Sequence, residues 1–448
     1  MISGMRAGVA MARALPVLLT LTLAACSPSL ATQAPETPTS PAGTSTPAPS
    51  PTPHLFTVIS GLNSVPSEDG DGWTVIGLVT NRSDIVAGEV GVRVTLEGPG
   101  GEEIDDQEVS LAIPHLGPGE TAPFSAQFPG AAEPVAAHAE VTRYSPAGRE
   151  RAEVEVANLS TLATVDGRLA VVGTVINRSA RPIEVSQLAI LASDEDGISL
   201  ALASSSAHRA RLEPGAEGPF LAILPAGLDE PSLTPYADAT FAPAEPPSRL
   251  TFVSAPVPME DEQGDVFVVG VIRNGESRPR WASVLVSLQS AGEVVGVAQE
   301  FVPIPLGPGE SRAFTITRFP RLASGAAPAA GIEGLSVEAW VDPVRSPDDG
   351  LRAVPLALQV RSYEAIAGTL FLQGTVENDS GAAVLSATVL AVVRSLDGAP
   401  LSAGWRLVAE SLEAGESAAF VLELTLPRGA DLVMSEYDIV ASGLAPAD

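Results

Sequence analysis

The chain has 448 residues, with 54 Asp and Glu against 25 Arg, no Lys, and a net charge of −29. This acidity excludes attraction to nucleic acid or anionic lipid, and the missing Lys excludes Schiff-base chemistry and a Lys-bearing phosphate loop. Aromatic residues are only 4%, so Val, Leu, Ile and Ala are expected to fill the cores of three or four domains of roughly 100–150 residues each.

Residues 1–25 read as a targeting segment. Arg6 and Arg13 supply a positive flank, and the apolar run from Ala14 to Ala25 is too short to span a bilayer as a helix. It ends Leu23-Ala24-Ala25-Cys26, and Cys26 is the only cysteine. This resembles the lipobox of bacterial lipoproteins. The resemblance implies that Cys26 is the lipid-attachment residue and the first residue of the mature chain. It also implies an extracytoplasmic protein whose membrane partner is engaged through its N-terminal lipid. Ser27, in place of Asp, implies the outer membrane in a two-membrane cell. An ordinary secretory signal followed by an incidental Cys is the alternative. Residues 26–54 are almost wholly Ser, Thr, Pro and Ala, a composition that buries no core and favours polyproline-II geometry. They read as a disordered stalk reaching about 80 Å at ~3.1 Å per residue, or as a linker without a task.

One strand pattern then occurs four times, at Trp73 to Asn81, Leu169 to Asn177, Val266 to Asn274 and Leu370 to Asn378. Each copy carries a Gly four residues before its Asn: Gly77, Gly173, Gly270 and Gly374. Counted in steps of two from that Gly, one face is apolar in every copy, the signature of a strand with one face in a core. The other face varies, from Thr74, Ile76 and Leu78 in the first copy to Phe371, Gln373, Thr375 and Glu377 in the fourth. A second marker follows each strand: Leu116-Gly117-Pro118-Gly119 before Phe124, Leu212-Glu213-Pro214-Gly215 before Phe220, Leu306-Gly307-Pro308-Gly309 before Phe314, and Leu412-Glu413-Ala414-Gly415 before Phe420. Pro presets φ and Gly accepts positive φ, so the chain reverses there; Ala414 is expected to weaken the fourth turn without abolishing it. Polar or Pro-rich hinges are expected at Ser145 to Gly148, Pro243 to Pro247 and Pro343 to Arg352. With seven or so short strands per copy and no amphipathic helix, the expected fold is all-β: four tandem immunoglobulin-like β-sandwich domains at 55–146, 149–244, 247–344 and 354–446.

Gly173 to Ser179, the turn at Asp194 to Gly197, and the Leu-Glu-Pro-Gly loop before Phe220 together resemble the FxLYD-type domain of bacterial lipoproteins and exported proteins. The family's name motif is not intact; Val94 to Glu97 and Val286 to Gln289 keep its alternation without its Phe, Tyr and Asp. Loops such as Gly309-Glu310-Ser311 also resemble the CARDB-like sandwich. Either resemblance implies an extracytoplasmic β-sandwich and no enzymatic site.

The residues for catalysis are sparse. With Cys26 committed to lipid, His54, His115, His138 and His208 are the only candidate neutral bases, and they read as solvated loop residues. Acidic clusters at Glu68 to Asp71, Asp194 to Asp196, Glu260 to Asp265 and Asp348-Asp349 have some calcium-loop character, yet turns select Asp and Gly for backbone reasons. Asn81, Asn158, Asn177 and Asn378 head Asn-x-Ser triplets, read as turns rather than glycosylation sites. Trp281 with Arg278-Pro279-Arg280 is either an exposed binding spot or a cover on its own sandwich. The expectation is a protein with no enzymatic activity, cofactor or metal, displaying repeats for binding, adhesion or spacing toward an unidentified protein or cell-wall partner. Docking in an envelope transport or wall-processing complex is the alternative, and a carbohydrate-binding array the third.

Overall fold

A computed structural model describes residues 58–148, 150–243, 248–323, 331–344, 351–430 and 435–446. Cys26, the stalk, His54, Asp348-Asp349 and the central parts of the last two expected hinges lie outside the described residues. Among the described residues the chain is all-β, with a single 3-10 turn at Gly331–Gly334.

The strands of the described residues fall into four consecutive sets of seven. In the first, β1 (Val58–Pro66), β2 (Gly72–Thr80) and β6 (Thr121–Pro129) form one sheet, with β2 central. Opposite lie β3 (Ala87–Glu97), β4 (Glu103–Ser110), β5 (His115–Leu116) and β7 (Ala136–Pro146), all three paired to β3. The second set repeats this with β8 (Val154–Ala163), β9 (Leu169–Asn177) and β13 (Glu217–Leu224) facing β10 (Ile183–Ser193), β11 (Ser199–His208), β12 (Arg211–Leu212) and β14 (Ser232–Phe241). Here β11 also pairs with β13, so the two layers join at one edge. In the third set the first strand is split into β15 (Leu250–Phe252) and β16 (Val257–Glu260), which pair with β17 (Val266–Asn274) beside β20 (Ser311–Ile316). Its second sheet is β18 (Trp281–Ser290), β19 (Glu293–Phe301) and β21 (Leu335–Val344). The fourth has β23 (Ala357–Ile366), β24 (Thr369–Glu377) and β27 (Ser417–Thr425) facing β22 (Leu351–Pro355), β25 (Val384–Ser395), β26 (Pro400–Leu412) and β28 (Ser435–Pro446). All pairings between these strands are antiparallel. Each set has its own apolar cluster drawn from both sheets; Val75, Val92, Val94 and Phe124 belong to the first.

The two sequence markers meet in every set. Gly77, Gly173, Gly270 and Gly374 sit opposite Phe124, Phe220, Phe314 and Phe420 in the ladders. A Cβ on any of these glycines would come within 2.5–2.7 Å of the Phe ring, so the ring packs on bare backbone. The strand-ending Asn is buried and its amide bridges two loops. Asn81 Nδ2 donates to Ile85 O and to Leu116 O, both at 2.8 Å, and Asn177, Asn274 and Asn378 repeat the bond to Leu212, Leu306 and Leu412. The backbone of Asn81 completes the closure, accepting from Gly119 N at 2.7 Å and donating to Glu120 O at 2.8 Å. These bonds account for the nearly constant spacing of the markers. The fourth turn, with Ala414, keeps its reversal: Glu416 N donates to Glu413 O at 3.0 Å, and Gly415 has φ of +80°.

The first expected hinge is partly strand, because β7 runs through Pro146, which pairs with Ala87.

Candidate functional site

The variable face of each central strand acquires a role at the joints between strand sets. In β2, Ile76 is buried yet lies outside the first set's own cluster, on the sheet crossed by β11 of the second set. In β9, Ala170 and Val172 join Ala207 and Leu221 of the second set and Leu285 and Val297 of the third in a separate apolar cluster. In β17, Phe267 and Val269 are buried outside the third cluster, and β26 of the fourth set crosses that sheet. The equivalent outer positions of β24 are Phe371, half-buried, and Gln373, exposed; Glu377, further along the same face, is exposed as well. At the other end, the outer face of β3, β4 and β7 carries Arg93–Asp106 (3.7 Å) and Arg143–Glu108 (3.2 Å) ion pairs, with His138 on Glu97 (3.1 Å). Outer faces are therefore apolar at the three internal joints, charged on β3, β4 and β7 at one end, and mixed on β24 at the other, where Gln373, Thr375 and Glu377 stand beside Phe371.

Each joint also has a polar fastening. At the first, Asp238 of β14 is fully buried. It faces His115 Nδ1 at 2.9 Å, the hydroxyl of Ser186, and Arg151 Nε at 3.4 Å; Arg151 reaches on to Glu120 of the first set. Asn63 Nδ2 donates to Ser199 O at 2.8 Å across the same joint. At the second, Arg209 lies 3.6 Å from Asp342 and over the Trp340 ring. Burial pushes the Asp342 carboxyl up, and the nearby Arg209 opposes that. At the third, Ala403 N donates to Thr315 Oγ1 at 2.7 Å, and the Trp405 indole N–H donates to Glu300 Oε1 at 3.0 Å. Burial pushes the Glu300 carboxyl up, while the indole bond and Arg318 pull it down.

A cleft of about 520 Å³ opens at this third joint, lined by Glu300, Thr317, Arg318, Trp405, Arg406 and Glu423 among others. Trp405 is 39% exposed, and its bond to Glu300 fixes the plane of the ring. A carboxylate raised by burial thus lies beside an indole and guanidinium groups here, as Asp342 lies beside Trp340 and Arg209 at the second joint, and Trp405 is the more exposed of the two indoles.

No family model and no curated protein matches this sequence. The residues themselves therefore define the site.

The sequence-predicted residues are placed as follows. His115 and His208 are not solvated loop residues: His115 is paired with Asp238, and His208 ends β11, partly buried, with Nε2 3.3 Å from Val185 O. Burial holds the His208 imidazole below its ordinary value. No two of these histidines are brought together by the bonds they make. Asp194 and Asp261 spend a carboxylate oxygen on backbone: Asp194 Oδ1 accepts from Asp196 N and Ile198 N, and Asp261 Oδ1 from Gln263 N and Asp265 N. Among the described residues no group of three His, Cys, Asp or Glu is arranged to hold a metal ion. Asn81, Asn177 and Asn378 are buried, whereas Asn158 sits exposed at a bulge in β8 with φ of +55°. Trp281 is 5% exposed and stacks on Phe301 with centroids 5.5 Å apart, so it covers its own strand set, and Arg280 is taken up by Glu276 at 2.6 Å. The joint residues Asp238, Glu300 and Trp405 drew no attention as sequence. Their signal was a lone acid in Ala237-Asp238-Ala239 and an aromatic flanked by Gly404 and Arg406, each within a strand.

Proposed function

We propose that this chain is a non-enzymatic, membrane-tethered extracytoplasmic lipoprotein. Cys26 carries the lipid, residues 26–54 form the stalk, and four immunoglobulin-like, FxLYD-like sandwiches serve as an arm that sets distance and displays binding surface. The observation that carries this reading is the difference between outer faces, apolar at the joints, charged at the β3 end and largely polar at the β24 end. Repeat arrays stack by nearest-neighbour contacts and need polar outer faces on their terminal units. The markers support it too, because Gly, Asn, Leu and Phe are consumed in holding each set together. The buried polar groups at the first two joints likewise fasten one set to the next, and at the first the Ser186 hydroxyl and His115 Nδ1 both bond to Asp238.

The test is fractionation of cells expressing the wild type and Cys26→Ser. The wild type is expected in the detergent phase with label from radioactive palmitate, and the variant in the aqueous phase without it. Equal membrane retention of both proteins, or labelling of Cys26→Ser, overturns the anchored reading.

A further inference from the structure

We propose that the second joint carries a latch at the end of β11 that protonation of His208 releases. Three successive residues make this strand end a contact with the third set. Ala207 lies in the apolar cluster with Leu285 and Val297, the His208 N–H donates to Gln299 Oε1 at 3.3 Å, and Arg209 reaches Asp342 at 3.6 Å and the Trp340 ring. Gln299 is held in turn by Ser283, whose Oγ accepts from its Nε2 at 2.8 Å. The same joint has a second fastening made of backbone: Val165 N donates to Arg321 O and Ala323 N to Ala163 O, each at 2.9 Å. That fastening lies at the turn between β8 and β9. Arg209 instead packs on Gly218, the ladder partner of Val175 near the far end of β9. The two are therefore about 20 Å apart at ~3.4 Å per residue. One is a pivot held by peptide groups, the other a latch built around a histidine.

The His208 ring couples the two faces of this strand end. Its ladder partner is Phe220, a core residue of the second set, so the ring faces inward, where Nε2–H donates to Val185 O at 3.3 Å. Successive side chains on a strand point to opposite faces, so a ring drawn out toward water turns Ala207 away from the third set and shifts Arg209 with it. Burial holds the imidazole below its ordinary value, opposed by the Val185 bond. The released form therefore binds the proton more readily than the latched form, and acid favours release below about pH 6.5. The charged groups of this corner act on one another. Burial raises the Asp342 carboxyl, Arg209 and Arg211 hold it down, and Glu213 takes up Arg211 at 3.3 Å. Asp342, held up while latched, works in the opposite sense to His208 and limits the release without causing it. The latch rests on the packing of the sets and not on a lipid at Cys26.

The test is maleimide labelling of the full chain carrying Cys26→Ser, so that an introduced cysteine is the only thiol. Val297→Cys places that thiol in the buried cluster of the joint, and Ser336→Cys places it at an exposed strand position as the reference for thiol chemistry. The labelling rate of Val297→Cys relative to Ser336→Cys should rise by up to about tenfold from about pH 7.5 to about pH 5.5. Adding His208→Gln, which keeps a donor for Val185 O, should leave that ratio flat. Adding His208→Phe, which keeps a ring that takes up no proton, should do the same, and it serves if the Gln variant does not fold. Ala222→Cys, buried in the second core, should stay protected at both pH values. The proposal is overturned if the ratio does not change with His208 present, or if a folded His208 variant responds as strongly. It is equally overturned if Ala222→Cys becomes reactive in step with Val297→Cys, since the second set would then unfold rather than unlatch.

Discussion

Gly173 lies directly opposite Phe220 across the β9–β13 ladder, with the ring 2.6 Å and Leu159 Cδ2 2.9 Å from where a Cβ would stand. Both neighbours belong to the core, so neither can swing into solvent. Gly173→Ala is expected to destabilise the second strand set by about 1–3 kcal/mol through overpacking. Adding Phe220→Leu should recover part of that loss, because the smaller side chain frees the space. Urea denaturation of the single and double variants checks both statements.

Asn177 is the most heavily bonded side chain of its set. Its amide nitrogen donates to Arg181 O at 2.9 Å and Leu212 O at 3.0 Å, and its Oδ1 accepts from Ser179 N at 2.9 Å. Asn177→Ala leaves these groups without partners, each at a cost of about 1–3 kcal/mol when buried. Asn177→Asp keeps the acceptor and loses both donors, so it should rescue little. Denaturation midpoints should rank wild type well above Asp, with Asp close to Ala.

Removing Asp238 takes the carboxylate partner from His115 and Ser186 and leaves Arg151 with Glu120 alone as its counter-charge at the first joint. Breaking one partner of a buried pair costs about 3–5 kcal/mol, and the loss is expected to fall on the joint. Asp238→Ala should therefore speed amide hydrogen exchange in β5, β14 and the segment around Arg151 more than in the third and fourth sets. Uniform exchange throughout the chain would count against a local role.

The pH response carries a sign set by His208. Burial holds its imidazole below the ordinary value, so the unfolded chain binds that proton more readily than the folded one. Stability from this group is thus lost as pH falls below about 6.5. Asp342 works in the opposite sense: its carboxyl is held up by burial, so the cost of its buried charge is relieved as pH falls through that raised value. His208→Gln, which keeps a donor for Val185 O, should lose less stability than the wild type between about pH 7.5 and about pH 5.5. Melting curves of both proteins across that range provide the comparison.

The outer faces of the central strands make a paired prediction. Val172→Glu places a charge in the apolar cluster it shares with Leu285 and Val297. It should loosen the second joint, seen as faster proteolysis after the second set, while the second core stays folded. Gln373→Val with Glu377→Val makes the exposed face of β24 resemble β9, and size-exclusion chromatography should show concentration-dependent self-association.

The repeated elements were legible as sequence because their causes are local. Alternation places Val75, Gly77 and Val79 on one face, and a Pro-Gly pair reverses the chain whatever surrounds it. Register was harder to read: nothing in Gly173 alone says that Phe220 will lie on it, although the fixed spacing of the markers implied some constraint. The joints were not legible. Asp238 and His115 are 123 residues apart, and their meeting depends on how one sheet crosses the next. The contrast between Ile76 and Gln373 was visible as variation, but only the stacking of sheets explains it. Trp281 and Trp405 show the same limit. Each has Arg nearby, and burial on Phe301 in one case and exposure beside Glu300 in the other follow from the sheets above them.

The unlike faces also constrain how such a chain can change length over evolutionary time. A duplicated copy inserted between the second and third sets would inherit compatible greasy surfaces above and below and fold in place. A copy appended beyond β24 would meet Gln373 and Glu377, and would need several coordinated substitutions before it could attach. Growth is therefore easiest from the middle.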